Sequence, residues 1–417
     1  MKRFKSDTTK ISAGKKNNSH MTHIEDLILN GGVSGARQSI AALSSLGKML
    51  AGNSSESLKV STKWDGAPSI FAGIDPTDGT FFVAKKSIFN KNPKVYKSLA
   101  EVDADTSGDL AKKLKLAFTY LKDVGITNVV QGDFMYEASD LKRETLDGVS
   151  SVTFHPNTIV YAVPLSTKLA TRILDSKIGV VWHTAYEGET FETMTPTYGA
   201  TITSALKQTK NVWMADATMS DLSSTATLSA AETDSLATAL KKAGKTFRKV
   251  SSTTLKEIEQ FPELNLAINT FYNTKVRANK RLVSPKKHVQ ELIVWVNTRY
   301  NAQVAKAKTA KGKAKIEDKR TQLMSLFFSP ANQKNLENVF ELQKNVTDAK
   351  LIVINKLNDL SKIGTFTKSE TGYVATNPEG FVVIDHTSNG AVKLVDRLEF
   401  STNNFNPAII KGWQNPG

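Results

Sequence analysis

The sequence predicts an α+β fold: antiparallel sheets forming a β-rich core, with a large basic helical insertion inside it. Three observations lead there. Short runs rich in β-branched and aromatic residues fill the chain up to about residue 200. A long, polar, helix-patterned stretch follows, and strand-like runs resume near residue 365. No internal repeat is visible. The implied divisions are a basic flexible tail over 1–22, the first part of the core over 23–200, the helical insertion over 201–364 and the last core strands over 365–417.

Taken in order, "GARQSIAALSSLGKML" spaces its apolar residues as a helix does. "LKVSTKWDGAPSIFAGI" and "GTFFVAKKSIF" flank "DPTDG", a turn signal, and read as a hairpin. "LAKKLKLAFTYLKDV" returns to helix. "NVVQGDFMY", "TIVYAVP" and "IGVVWHTAY" read as strands. In the insertion, Val289, Leu292, Ile293 and Val296 fall at helical steps, as do Leu336, Val339 and Phe340. Between them "TAKGKAKIEDKR" reads as a basic linker or a fraying helix end. "TGYVAT", "EGFVVID" and "AVKLVDRLEF" read as the closing strands.

The chain has 417 residues and no cysteine, which excludes disulfides, thiolate metal sites and cysteine nucleophiles. No apolar run is long enough to span a bilayer, and the first twenty residues lack the apolar stretch of a secretory signal. A cytoplasmic protein with no membrane partner is the expectation. The net charge is +15, which suits a polyanionic partner such as nucleic acid or simply a basic protein. The excess is concentrated. Residues 271–320 hold fourteen Lys and Arg against three acids, a net +11. Within that block Lys275, Arg277, Lys280, Arg281, Lys286 and Lys287 are the candidate phosphate contacts, unless they form a solvated helix face.

The sharpest local question is "STKWDGAPSIF", where Lys63 stands two places before Asp65-Gly66. A lysine near a core is costly unless its amine is used, so Lys63 is either a nucleophile or a snorkelling strand-edge side chain. A nucleophilic amine needs a lowered pKa, and a phosphoryl electrophile needs carboxylate-held metal and cations beside it. Suitable partners are Asp133 in "QGDF", Glu379 in "PEGFVVID" and Lys393 in "AVKLVDR". On a continuous strand Arg397 shares the face of Lys393. His183 in "VWHT" reads more readily as a structural histidine.

Lys63-Trp64-Asp65-Gly66, then Gly132-Asp133-Phe134, then Glu379-Gly380-Phe381-Val382, then a strand bearing Lys393 resembles the ordered motifs of the covalent nucleotidyltransferases: DNA ligases, RNA ligases and mRNA capping enzymes. The general character is similar to that of phage polynucleotide ligases, which for a phage-encoded chain implies the host cytoplasm. The resemblance covers roughly residues 58–190 and 372–400. It implies a ligase core with ATP-grasp-like antiparallel sheets, ATP and Mg²⁺ as cofactors, and nicked or single-stranded nucleic-acid ends as partner. It implies Lys63 as nucleophile, Glu379 as metal carboxylate, and Asp65, Gly66, Lys86, Asp133, Tyr161, Lys393 and Arg397 around the nucleotide, Tyr161 stacking on the base. Three departures stand out. Asp133 replaces the usual glutamate. Val395 takes the place of a second lysine, for which Arg397 is the substitute. The seventeen residues after Phe400 leave no room for the C-terminal oligonucleotide-binding barrel of DNA ligases, which favours RNA ligation. Other covalent nucleotidyl transfer, to a cap or a protein, and a non-catalytic nucleic-acid binder on this scaffold are the alternatives.

Overall fold

A computed structural model describes residues 21–52, 58–219, 227–360, 363–385 and 390–414. Most of the expected basic tail, residues 1–20, lies outside them. Three sheets and a helical body make up the described residues. Among the described residues no helix is long and apolar enough to cross a membrane.

The largest sheet orders strands Thr195–Tyr198, Ile178–Glu187, Val129–Glu137, Ser69–Ile74, Phe81–Ala84 and Val95–Tyr96, all antiparallel. Val212–Asp216 adds to Ile178–Glu187 in parallel. The expected hairpin is present, and Asp75 organises its turn by accepting from the Thr77 amide at 2.9 Å and hydroxyl at 2.6 Å. Helix Gly108–Leu121 buries Leu114, Ala117 and Leu121 against Val130, Phe134 and Val180 of this sheet. A five-stranded sheet orders Gly372–Ala375, Gly364–Ser369, Ile159–Pro164, Val149–Phe154 and Lys142–Leu146. The smallest pairs Leu58–Lys63 with Gly380–Asp385, and the latter with Gly390–Leu394.

The small sheet shows why the helices matter. Strand alternation turns Val60, Phe381, Val383, Val392 and Leu394 to one face. That face joins a single apolar core with helices Gly32–Leu50, Ala230–Phe247, Ser252–Gln260, Pro262–Arg277, Pro285–Lys306 and Pro330–Asn358. The helical region therefore shares its core with the amino-terminal helix and with the strands that carry Lys63 and Lys393. It also starts later than residue 201, because Val212, Trp213 and Met214 are buried in the large sheet.

Two local readings change. "TAKGKAKIEDKR" lies in a regular helix, Ala310–Phe327, entered through Thr309, whose hydroxyl accepts from the Gly312 amide at 3.1 Å. "AVKLVDRLEF" is strand only to Leu394. Asp396 then caps helix Arg397–Phe405, accepting from the Leu398 amide at 3.0 Å.

Candidate active site

A cavity of about 400 Å³ opens between the small sheet and the large one. Lys63, Asp133, Glu379 and Lys393 all line it, although they come from four segments as much as 330 residues apart.

Register explains the meeting. Lys63 pairs with Gly380 across the antiparallel ladder, so the preceding Glu379 lies beside the lysine, and Lys63 Nζ contacts Glu379 Oε1. Gly380 has φ +148°, and a Cβ there would sit 2.6 Å from the Leu394 carbonyl oxygen, so this position needs glycine. Val382 pairs with Lys393, and both point to the cavity, opposite to the face that meets the helices. From the large sheet, Gln131 and Asp133 alternate with the core residues Val130 and Phe134. Gly66 lets the loop after Lys63 lie against this strand: a Cβ on it would come 2.5 Å from Asp133 Cβ. The Ala67 amide bonds the Phe134 carbonyl at 3.0 Å, and the Phe134 amide bonds the Pro68 carbonyl at 3.0 Å.

The four charges act on one another. Burial pushes the Asp133 carboxyl up to about 8, against the pull of Lys63 and reinforced by Glu379 and Asp65. Burial also raises Glu379, with Lys63 opposing. Burial lowers Lys393, and the facing Lys63 adds to it. His183 lines the same cavity, bonded through Nδ1 to the Thr184 hydroxyl at 2.7 Å. Burial and Lys63 hold it at about 4, so it is neutral at pH 7.

The Asp133 shift has a consequence for stability. The unfolded carboxyl ionises near about 3.9, so the folded chain holds one extra proton up to about 8. Stability then falls as pH rises through that window, by up to about 1.4 kcal/mol per pH unit for one proton. Asp133→Asn cannot titrate. Its free energy of unfolding, measured in denaturant between about pH 5 and about pH 8, should gain on the wild type as pH rises. Parallel curves would show that Asp133 ionises normally in the fold.

Of the other expected site residues, Asp65 and Gly66 also line the cavity, whereas Tyr161, Lys86 and Arg397 do not. The Asp65 carboxylate is committed to the chain: Oδ1 accepts from Asn157 Nδ2 at 2.9 Å, and Oδ2 accepts from the amides of Thr158 at 2.7 Å and Ile159 at 3.0 Å. It fixes the entry to strand Ile159–Pro164. Tyr161 is 2% exposed and lies outside the cavity lining. Its ring packs between Trp64 at 4.9 Å and Phe154 at 5.4 Å, and its hydroxyl accepts from the Asp65 amide at 2.7 Å. It is a core residue and not a base platform. Lys86 sits exposed on the short 3-10 helix Lys86–Phe89, outside the lining, although its charge still bears on Lys393.

Arg397 is turned away altogether. The strand ends before it, and its guanidinium grips the Asp26 carboxylate, lies 3.7 Å from Glu25 and stacks over Tyr272 at 5.1 Å. Lys350 Nζ, 1% exposed, completes this buried cluster with Glu25 Oε1 at 2.8 Å and the Val395 carbonyl at 2.9 Å. Burial works against charge on Glu25, but Lys350 and Arg397 outweigh it and hold that carboxyl at about 2. The cluster ties the amino-terminal helices and helix Pro330–Asn358 to the end of the Lys393 strand.

The sequence-designated basic residues are also largely occupied. Helix Pro262–Arg277 ends before Lys280 and Arg281, and Asn279 has φ +53°, so Lys280 and Arg281 do not continue the helix that carries Lys275 and Arg277. Lys275 pairs with Glu291 at 2.7 Å, Arg277 lies over Phe405 at 5.2 Å, and Arg281 pairs with Asp396 at 2.8 Å. Lys287 stands 4.0 Å from Glu291. Lys280 and Lys286 are exposed.

Sequence reasoning missed Gln131, Tyr198, Phe400 and Asn404, which also line the cavity. Gln131 is oriented from both ends, accepting from the Tyr186 hydroxyl at 2.7 Å and donating to Ser69 Oγ at 3.1 Å. Only the strand alternation shared with Asp133 could have pointed to it.

A family model described as a family of unknown function, DUF6267, matches residues 18–409. The chain belongs to this family. No curated protein and no solved structure matches it. The DUF6267 match takes in both sheets around the cavity and the helical body, so lysine, carboxylates and helices lie within one family unit.

Proposed function

We propose that this DUF6267 member is an ATP-dependent polynucleotide ligase, acting on RNA ends in preference to DNA, through a covalent lysyl-AMP intermediate. The observation that carries the reading is the convergence of Lys63, Glu379, Asp133 and Lys393 on one cavity from distant segments, in the motif order of covalent nucleotidyltransferases. A cavity of about 400 Å³ falls in the range of small-molecule sites.

In this reading Lys63 Nζ sheds its proton, with Glu379 Oε1 the carboxylate oxygen in contact with it. It attacks the α-phosphorus of ATP, a P–N bond forms, and the bond to the pyrophosphate oxygen breaks. Lys393 faces the same space and offsets phosphate charge. A 5′-phosphate oxygen then attacks the bound AMP, breaking the P–N bond. Finally a 3′-hydroxyl attacks that 5′-phosphate, AMP leaves, and the hydroxyl proton passes to solvent. Asp65 and Tyr161 contribute by fixing the loop that follows Lys63.

Among the described residues no group of three or more His, Asp or Glu forms a ready-made metal cage. Mg²⁺ is commonly bound by one or two carboxylates together with substrate phosphates. Asp133 and Glu379 face the same cavity and are the carboxylates that would share the ion with those phosphates. The ion, when bound, would neutralise charge on the phosphates. Glu379→Ala should therefore lose nucleotide attachment by roughly a hundredfold or more, read as label retained from α-labelled ATP. Wild-type labelling at low magnesium would remove Glu379 from the site.

The preference for ATP rests on the resemblance alone. The direct test incubates the full chain with ATP, magnesium and 5′-phosphorylated RNA or a nicked duplex, and looks for sealed product. Adduct without sealing of either would favour capping or protein modification. A second reading, a nucleic-acid binder without turnover, is favoured by the diversion of Arg397 to Asp26. It requires binding of ends with no adduct from any nucleotide.

A further inference from the structure

Helices Pro285–Lys306 and Ala310–Phe327 pack on each other and are joined by only three residues, 307–309. From 292 to 316 this hairpin carries six cations and no acid. Five of them, Lys306, Lys308, Lys311, Lys313 and Lys315, crowd its turn; all are exposed, and none pairs with a carboxylate among the described residues. By contrast Lys275, Arg277 and Arg281, earlier in the basic block, are held by Glu291, Phe405 and Asp396.

We propose that this lysine turn is the surface that docks the phosphodiester backbone of the nucleic-acid substrate. The deduction rests on the ligase reading for the choice of partner and on the turn itself for the chemistry. Between residues 305 and 315 every residue that is not lysine is Ala, Thr or Gly. A protein partner normally needs aromatic or arginine anchors that fill pockets, and none is present in this segment. Anionic lipid would be bound more stably with apolar side chains to insert, and the turn offers none. Compact, hydrated ammonium groups on flexible stems suit repeated phosphates, which require charge and no fixed geometry. No residue of the two helices lines the cavity, so the turn serves the polynucleotide and leaves ATP binding to the sheets.

The test uses the full chain and a variant with all five lysines changed to glutamine, with circular dichroism confirming the fold. Affinity for a 5′-phosphorylated oligonucleotide, single-stranded and as duplex, is measured across a salt series. Each lost phosphate contact removes about 0.9 from the log–log salt slope on duplex and about 0.7 on single strands. The variant should bind roughly tenfold or more weakly at low salt and show a slope flatter by about two or more. The substrate whose slope changes more identifies the form that the turn holds. Unchanged affinity and slope on both would overturn the proposal. So would a wild-type chain that binds anionic phosphatidylserine vesicles in preference to either oligonucleotide. Labelling from ATP is read in parallel. If neither chain labels but the slope still flattens, the docking surface stands and the ligase chemistry falls.

Discussion

Lys63→Ala is expected to fold as the wild type does and to form no covalent nucleotide adduct. Lys63 stands at the end of its strand with its side chain in the cavity, so its removal takes little apolar packing from the core. What it takes is the amine. Lys63→Arg should fail as completely, since a guanidinium stays protonated and has no free electron pair to offer phosphorus. The pair of variants separates chemistry from charge: arginine keeps a cation for Glu379 and still cannot be adenylylated. Denaturation curves would establish that both are folded, and retained label from α-labelled ATP would measure the reaction. A wild-type level of adduct in either variant would remove Lys63 as nucleophile.

Lys350→Ala should cause the largest loss of stability, about 3–5 kcal/mol, the usual cost of stranding a buried charge. Glu25 is fully buried, and Lys350 is its closest cation at 2.8 Å, with Arg397 further off at 3.7 Å. The substitution also leaves the Val395 carbonyl without its donor. A total stability of about 5–15 kcal/mol makes that a severe change. Removing both charges together, as Lys350→Met with Glu25→Gln, should restore much of the loss, because no uncompensated ion remains. Urea unfolding of the three chains checks this. A Lys350→Ala midpoint close to that of the wild type would show that Arg397 alone satisfies Glu25.

Part of this architecture was legible because it is written locally. Gly66 and Gly380 are glycines for reasons of contact and backbone angle. Lys63, Asp133 and Lys393 fall in strands whose alternation can be read off the sequence. What the Asp65 side chain binds was not legible. Its carboxylate serves amides more than ninety residues away, and nothing near it announces that. Tyr161 illustrates the limit of a strand pattern: alternation shows that it shares a face with its i+2 neighbours, but not whether that face meets a ligand or a second layer of aromatics. Arg397 was misplaced by extending a strand through Asp396. The spacing of Asp396 and Glu399 is a helix-entry signal that would have ended the strand in time. In the basic block, sequence counts cations but not partners. Only the packed structure shows that Arg281 answers Asp396 while Lys311 answers none of the described carboxylates.

The measurement that bears most directly on the central claim is the location of the adduct. The wild-type chain would be incubated with ATP and magnesium, digested under mildly alkaline conditions that preserve a phosphoramide bond, and its peptides sequenced by mass spectrometry. The account predicts AMP on the side-chain nitrogen of Lys63, within the peptide that holds Trp64-Asp65-Gly66. AMP on any other residue, or no adduct from any of the four ribonucleoside triphosphates, would contradict it.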